Sequence, residues 1–332
     1  MSKSIDLKDY HTFGISTTAL FIEEISSIKQ LQHFLKNYPD ALILGKGSNV
    51  LFTKAVEVPV GIISNKGMRI SALNKSESSL ISAAGESWVD LVAFSIQSGL
   101  NGLENLSLIP GSVGAAPIQN IGAYGVEQAE RFSYCIAIDR KTGESKKLVA
   151  ADCKFGYRNS IFKQPEGKSL IVWEVCYTLQ TENPSFNLSY GPLKNYFENH
   201  SEEPVSAAQI SAVVSEIRRS KLPDPSLLGN AGSFFKNPVV RKEKAEELQV
   251  QFPDIPVYPS PEGVKLAAGW LIEKAGFKGV KKGAVGVHEH QALVLVNLGG
   301  ATGAELYELA IEIRNKVQDL FGIMLEPEVT IL

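Results

Sequence analysis

Cysteine is nearly absent from this chain, and the few that occur are poorly placed for chemistry. Cys135, Cys153 and Cys176 form no C-x-x-C pair, and their spacing is too wide for a zinc ribbon. The sequence therefore predicts reduced, mostly buried thiols. Long apolar runs are also missing. Segments such as Ala292–Val296 are strand-length, far below the ~20 residues that a membrane helix needs. The N-terminal residues Met1–Asp6 are polar and lack the apolar core of a secretion signal. Basic charge shows no surplus: 33 Lys and Arg stand against 36 Asp and Glu, a net charge of −3. A nucleic-acid binder usually carries a basic excess on one face. His288 and His290 could share one strand face, but no further ligand residues lie close by, so no metal is expected. Repeats, heptads and low-complexity tails are absent as well. A soluble, cytoplasmic, monomeric chain is expected, with neither membrane nor nucleic acid as a partner.

At 332 residues, two or three domains are expected, since domains usually run ~100–200 residues. Hydrophobic residues make up 44% and charged residues 21%, ordinary values for a globular protein. Ser26 is placed to cap a helix whose apolar face is Ile28, Leu31, Phe34 and Leu35, with Pro39 to stop it. A buried strand, Ala41–Leu44, follows. Ser87 is placed to cap a second helix, and Gly99 to end it. Strands separated by turns are predicted from about Phe132 to Leu179. Helices are predicted over Ala207–Ser220, Lys265–Ala275 and Ala304–Phe321, with a strand over Gln291–Asn297. The pattern is mixed, without one long βαβ alternation, so the expected class is α+β.

Two glycine-rich segments stand out. Gly45-Lys46-Gly47-Ser48-Asn49 follows a strand, where exposed N–H groups form a concave anion site. It is not a P-loop, because the earlier glycine and the Lys-Ser/Thr step are missing. It is not a dinucleotide fingerprint either, because Val50 stands where a third glycine belongs. A phosphate loop and a plain tight turn both remain open on this segment alone. The second runs through Ile109-Pro110-Gly111-Ser112-Val113-Gly114-Ala115-Ala116-Pro117 into Gln119-Asn120-Ile121-Gly122-Ala123-Tyr124-Gly125. A backbone this bare can lie flat against a large planar ligand. Together the two segments suggest a dinucleotide held outside the Rossmann manner.

A third segment, Gly229-Asn230-Ala231-Gly232-Ser233-Phe234-Phe235-Lys236-Asn237-Pro238, reads as a loop dense in donors, and Lys221 lies in the turn-rich stretch before it. Ser233 alone could be a turn serine bonded to its own backbone. Arg158, in Phe155-Gly-Tyr-Arg-Asn-Ser160, could be a solvated surface residue or a bidentate clamp for a carboxylate. Glu326 and Glu328, in Leu325-Glu-Pro-Glu-Val329, are equivalent by spacing.

These segments in this order, together with Lys221-Leu-Pro-Asp-Pro225, resemble the UDP-N-acetylenolpyruvoylglucosamine reductase (MurB) flavoenzymes of peptidoglycan synthesis, from about His11 to Val329. Ser189-Tyr190-Gly191-Pro192-Leu193 is similar to the tyrosine loop of that family's type I branch. The resemblance implies a vanillyl-alcohol-oxidase/PCMH-like fold with non-covalent FAD, NADPH as hydride donor and a UDP-sugar as substrate. Hydride would pass from NADPH to flavin, then to the enolpyruvyl group, in one shared pocket. The implied catalytic residues are Ser233 as proton donor, Arg158 and Glu328. Flavin contacts carry over to Gly45, Lys46, Gly47, Ser48, Asn49, Pro110, Gly111, Ser112, Gly114, Ala115, Gln119, Asn120, Gly122, Ala123 and Tyr124. Substrate contacts carry over to Tyr190, Lys221, Asn237 and Gln291. Histidine stands at position 11 where the family often has asparagine.

The resemblance also implies two FAD lobes, 1–64 and 65–220, with the C-terminal strand 322–332 a candidate to join the first, and a substrate domain over 221–321. Reducing an enol ether beside a carboxylate needs hydride at C3, stabilisation of the charge that develops, and a proton at C2. Another flavin oxidase of the same fold, and a non-enzymatic flavin-binding module, are the alternatives. No flavin loop here offers the histidine or cysteine that such oxidases often tether to FAD. The module would leave Arg158, Ser233 and Glu328 without a task.

Overall fold

The computed structural model describes residues 4–200 and 205–332; Met1–Lys3 and Ser201–Pro204 lie outside it. Both helices and sheets occur, as an α+β chain requires. The chain divides into two compact units that interleave along the sequence. The first takes Leu20–Lys46 and Glu57–Arg219; the second takes Ser4–Ala19, Gly47–Val56 and Ser220–Leu332.

Among the described residues, the first unit holds two sheets of three or more strands. Strands Ile22–Ile25, Val60–Ile63 and Leu42–Leu44 pair in parallel, in that spatial order. Helix α1 (Ile28–Asn37) buries Leu31, Phe34 and Leu35 in the core of this layer. Its cap is Ser27, not the expected Ser26: the Ser27 hydroxyl accepts from the Gln30 amide, and the Gln30 side chain reaches back to complete a capping box. Ile28, at the first helical position, is 37% exposed and stays off the core face. The second sheet is antiparallel, ordered Ser145–Val149, Phe132–Asp139, Leu170–Gln180, Glu77–Ala83, Met68–Ala72.

Helix α2 (Trp88–Gln97) packs Trp88, Leu91 and Val92 into that sheet's core. It ends as expected at Gly99, whose φ of +72° suits a Schellman motif. Gly99 donates to Ile96, and Leu100 donates to Ser95 at 2.8 Å. A short helix α3 (Ala150–Cys153) follows the edge strand. Helices α4 (Gly191–His200) and α5 (Ala207–Lys221) share a small core of Leu193, Phe197, Ile210, Val213 and Val214. Cys135, Cys153 and Cys176 are free thiols, all buried.

The second unit is built around helix α8 (Gly303–Phe321), with α6 (Lys242–Gln251) and α7 (Ala268–Lys274) beside it. Leu306, Leu309, Ala310, Ile313, Val317 and Phe321 repeat at helical spacing and are all buried. Thr302 and Glu305 form the capping box that starts α8. A four-stranded antiparallel sheet runs Gly229–Ser233, Val294–Asn297, Val285–Val287, Lys281–Lys282. A three-stranded sheet runs Val239–Val240, Gly263–Leu266, Val257–Ser260. Two expectations change here. The predicted helix Lys265–Ala275 begins at Ala268, because Gly263–Leu266 is claimed by sheet pairing on both sides. The Ser233 segment is not a loop: its first half is a strand, drawn in by Val294–Asn297.

The last strand, Thr330–Ile331, pairs in parallel with Val50–Leu51. That ladder sets the glycine-bearing turn Gly47–Asn49 beside the chain's C-terminal segment.

Candidate functional site

In the first unit, the two glycine segments meet. A Cβ at Gly45 would meet the Ser112 hydroxyl, so the two segments approach closely there. Val113–Ala115 forms a single 3-10 turn. Its Val113 and Gly114 amides donate to Glu86 and Ala84, both at 2.9 Å, so these two donors hold the turn itself. Gly122–Ala123 and Val126–Glu127 then form a minimal hairpin with Tyr124 and Gly125 at its tip. Asn120 is fully buried with a φ of +46°. Its amide nitrogen donates to Glu127 at 2.6 Å and to the Gly156 carbonyl at 3.1 Å. Its side-chain oxygen accepts from Gln128 and Ala129, both at 3.2 Å. The Asn120 side chain is therefore spent inside the protein, and it fastens this segment to the arginine hairpin.

Arg158 sits at the tip of that hairpin. Gly156 and Asn159 exchange two backbone bonds of 3.1 Å, and Arg158 takes a left-handed φ of +52°. Its guanidinium donates to the Gly122 carbonyl at 2.6 Å and lies 5.3 Å from the Tyr157 ring. Arg158 is thus tied to the second glycine segment by its side chain as well as by its neighbours. Tyr190 is 42% exposed, and its ring meets the Tyr124 ring edge-on at 5.2 Å. Arg218, on α5, interacts electrostatically with Tyr124, and burial lowers its pKa. The sequence reading passed over Arg218. Its signal is a position three residues before Lys221, on the same helical face.

In the second unit, Ser233 and Glu328 lie on neighbouring extended segments. The Glu328 amide donates to the Phe234 carbonyl at 2.7 Å, the Lys236 amide to the Glu326 carbonyl at 2.9 Å. Phe235 bridges Pro327 between them. Asn230 prepares the approach. Its side-chain oxygen accepts from the Gly232 amide at 2.8 Å, an Asx turn, and Gly232 takes a φ of +70°. The result is a bulge between Asn230 and Ser233, a device that re-aims the side chain that follows. The Asn230 amide also holds Pro223 at 3.2 Å and Leu228 at 2.8 Å, fixing the stretch after Lys221. Asn230 was missed as a positioning group, although Asn-x-Gly is readable as a turn.

The two glutamates that spacing left equivalent differ here. Glu326 is exposed and paired with Lys236 at 3.2 Å, whereas Glu328 is half-buried. Lys236 is thereby committed to a carboxylate. Asn49 donates to the Glu328 carbonyl at 3.1 Å, so the turn Gly47–Asn49 belongs to this cluster. Asn237 and Gln291 converge on the start of α7. Asn237 accepts from the Ala268 amide at 2.9 Å, and a Cβ at Gly269 would sit 3.1 Å from the Gln291 oxygen. The expected strand over Gln291–Asn297 begins only at Val294, leaving Gln291 in the preceding turn. Lys221, at the C-terminal end of α5, is exposed. Arg158 and Tyr190 belong to the first unit; Ser233, Glu328, Asn237 and Gln291 belong to the second.

His11 backs the glycine turn. It is 5% exposed; its Nε2 lies 2.9 Å from the Ile15 carbonyl, and its Nδ1 is buried without a partner among the described residues. Burial lowers its pKa, so the ring is neutral near pH 7, its Nε2–H donating to Ile15. Among the described residues no three His, Cys, Asp or Glu side chains converge as a metal site. No helix among them is long and apolar enough to cross a membrane.

Residues 22–144 match the model of an FAD binding domain, and residues 224–332 match the C-terminal domain of UDP-N-acetylenolpyruvoylglucosamine reductase. A reductase of that name from Pseudomonas aeruginosa is 46% identical, covering 99% of this chain and 98% of the relative. The chain belongs to the UDP-N-acetylenolpyruvoylglucosamine reductase family. A relative from Flavobacterium johnsoniae is 44% identical over 100% of this chain and 99% of its own length. The crystal structure of UDP-N-acetylenolpyruvylglucosamine reductase (MurB) from Thermus caldophilus superposes with a TM-score of 0.68. It covers 99% of this chain and 98% of that one, at 24% identity, so it speaks for the fold. The family's FAD domain and C-terminal domain are thus both present in this chain, as the sequence led one to expect.

The residues fit a flavin dinucleotide. Among the described residues the amides of Lys46 and Gly47 donate to no protein acceptor, and an orphaned N–H pair in a tight turn suits a phosphate. Gly47 has a φ of +60°, and a Cβ there would strike the Tyr10 carbonyl.

Proposed function

We propose that this protein reduces UDP-N-acetylglucosamine enolpyruvate to UDP-N-acetylmuramate with electrons from NADPH, in cytoplasmic peptidoglycan precursor synthesis, as a type I monomer. One observation carries the reading beyond family membership. The Glu328–Phe234 backbone bond holds Ser233 and Glu328 on adjoining segments, with Asn49 of the glycine turn bonded to one of them. Residues Gly45–Asn49, Pro110–Ala115 and Gln119–Tyr124 would hold FAD. When bound, FAD supplies a two-electron carrier that can take hydride from NADPH and give it to an activated alkene.

The chain's own residues supply the rest. The Arg158 guanidinium stabilises negative charge as it develops beside the substrate carboxylate. Glu328 works beside that carboxylate. The Ser233 hydroxyl delivers the proton to C2. Lys236 is occupied by Glu326, which leaves Lys221 as the ammonium of this stretch free to grip the substrate. Tyr190, Asn237 and Gln291 complete that grip. The three-part division into two FAD lobes, 1–64 with 322–332 and 65–220, and a substrate domain, 221–321, goes with this reading.

Anaerobic stopped-flow absorbance tests it. NADPH should bleach the bound flavin, and the enolpyruvyl sugar should restore the colour without oxygen. Recovery with oxygen alone would make the protein an oxidase. A preparation that stays colourless after FAD is added would sink the flavin reading.

A further inference from the structure

Asn105 lies in the 3-10 turn Glu104–Leu106 and is only 2% exposed. A buried primary amide must find acceptors for both of its N–H groups. Asn105 finds them on two segments far apart in sequence. One N–H goes to the Tyr124 carbonyl at 2.9 Å, the other to the Asn187 carbonyl at 2.8 Å, the latter 82 residues away. Asn187 adds a second tie, from its side chain to the Gly125 carbonyl at 2.9 Å. Its side-chain oxygen accepts from the Ser189 amide at 3.0 Å and hydroxyl at 2.7 Å, shaping the approach to Tyr190.

The turn that carries Asn105 is itself held firmly. Glu104 accepts from the Gly102 amide at 2.6 Å, and the Ser107 hydroxyl bonds both the Glu104 carbonyl and Ser211 on α5 at 2.7 Å. In the segment leading to Tyr190, Phe186 and Leu188 pack against the small core of α4 and α5. Behind it lies a polar cavity of about 350 Å³ lined by Glu104, Glu130, Arg131 and residues 185–189. On the side of this open polar space the segment is held by its hydrogen bonds. At the far end of these bonds the Tyr124 and Tyr190 rings meet at 5.2 Å.

We propose that Asn105 is a positioning residue: its amide clamps the Tyr190 segment to the Tyr124 tip and so fixes the grip on the UDP-sugar. The second half of this statement rests on the reductase reading above. Asp is the sharp substitution, because it keeps the shape but offers only acceptors to two carbonyls. In holoenzyme carrying Asn105→Asp, the KM for the enolpyruvyl sugar should rise about tenfold while kcat stays within about threefold, the pattern of lost uniform binding. Bound flavin per chain should not change. Amides of residues 185–190 should exchange with deuterium at least about tenfold faster. In a Tyr190→Ala background the same change should raise KM by less than about twofold, since contacting residues are not additive.

An unchanged KM with unchanged exchange overturns the proposal. So does a parallel loss of flavin and kcat, which would make Asn105 a residue of the fold alone, and so does a full KM effect without Tyr190. If Asn105→Asp does not fold, Asn187→Ala removes the second tie and is read in the same way. A wild type that holds flavin but leaves the sugar unreduced sinks the reductase reading. The clamp is then judged on exchange alone: faster exchange at 185–190 upholds it and equal exchange overturns it.

Discussion

The two units place their candidate residues by different means. Among the described residues, the non-glycine residues with left-handed backbone are Leu108, Asn120, Tyr124, Lys154, Arg158 and Asn183, and every one lies in the first unit. Three of them, Asn120, Tyr124 and Arg158, are themselves candidate site residues. In the second unit each described residue with positive φ is a glycine, among them Gly47 and Gly232. The first unit accepts strain of about 1–3 kcal/mol per position and offsets it with side-chain bonds from buried amides such as Asn120 and Asn105. The second unit spends glycine where the chain must turn, and lets sheet-like pairing carry Ser233 and Glu328. Strain held by a network marks sites that need one fixed geometry; pairing with glycine needs no such support.

Four changes would break or sharpen this contrast. The largest effect is chemical and belongs to the second unit. Ser233→Ala should slow enolpyruvyl reduction by about 10²–10⁴-fold, the range for a lost general acid, while NADPH still bleaches the flavin at nearly the normal rate. Single-turnover traces of the two half-reactions decide it; equal damage to both would make Ser233 structural. Next comes Gly47→Ala, which sets a Cβ against the Tyr10 carbonyl at a φ of +60°. Urea melts should show a loss of about 1–3 kcal/mol together with lost flavin; unchanged stability would mean that the turn tolerates strain as the first unit does.

The third concerns His11. Its folded pKa is lowered, first by burial, with the Ile15 carbonyl and Asp6 pulling the other way. The unfolded chain therefore binds the proton more readily. The stability from the neutral ring is complete above about pH 6.5 and is lost as pH falls towards the folded pKa, at no more than about 1.4 kcal/mol per pH unit. His11→Asn should flatten that slope in melts between about pH 5 and 7, and an unchanged slope would assign it to other groups. The smallest effect lies in the first unit. Lys154 ends α3 at a φ of 45°, and its pair with Glu166 at 3.2 Å is exposed and contributes little. Lys154→Gly should stabilise by about 0.5–1 kcal/mol, because no site depends on this strained residue. A destabilised variant would refute the view that strain there is uncompensated.

What the sequence revealed follows the same division. Gly99 and the apolar stripe of α8 were readable because one residue type or one period determines the local structure. Ser27 displaced Ser26 by a single position, since only Ser27 sits three residues before Gln30. The strand Gly229–Ser233 was illegible: Gly-Asn-Ala-Gly-Ser has no strand propensity, and pairing with Val294–Asn297 imposes the conformation. Lys265 and Leu266 were read into the helix that follows, because pairing with Val257–Ser260 and Val239–Val240 on either side claims them for a strand. The left-handed Arg158 could not be foreseen at all, since no side chain announces a strain that its neighbours create. Motif resemblance pointed to Ser233, Arg158 and Glu328, but not to Asn105, Asn230 or Arg218. Those three act through backbone carbonyls or a neighbouring ring, and such partners leave no mark in a sequence.

The bond from Asn49 to Glu328 spans 279 residues, and the Thr330–Ile331 ladder beside it joins equally distant segments. On the ribosome, these contacts cannot form until Thr330 has emerged. The strands and helices of Glu57–Arg219 have by then been outside for a hundred residues of synthesis, free to acquire their own cores. The turn that carries Gly47 and Asn49 must wait, though it is made long before its partner. A nascent chain stalled before Thr330 would therefore lack the ladder that seats the turn Gly47–Asn49.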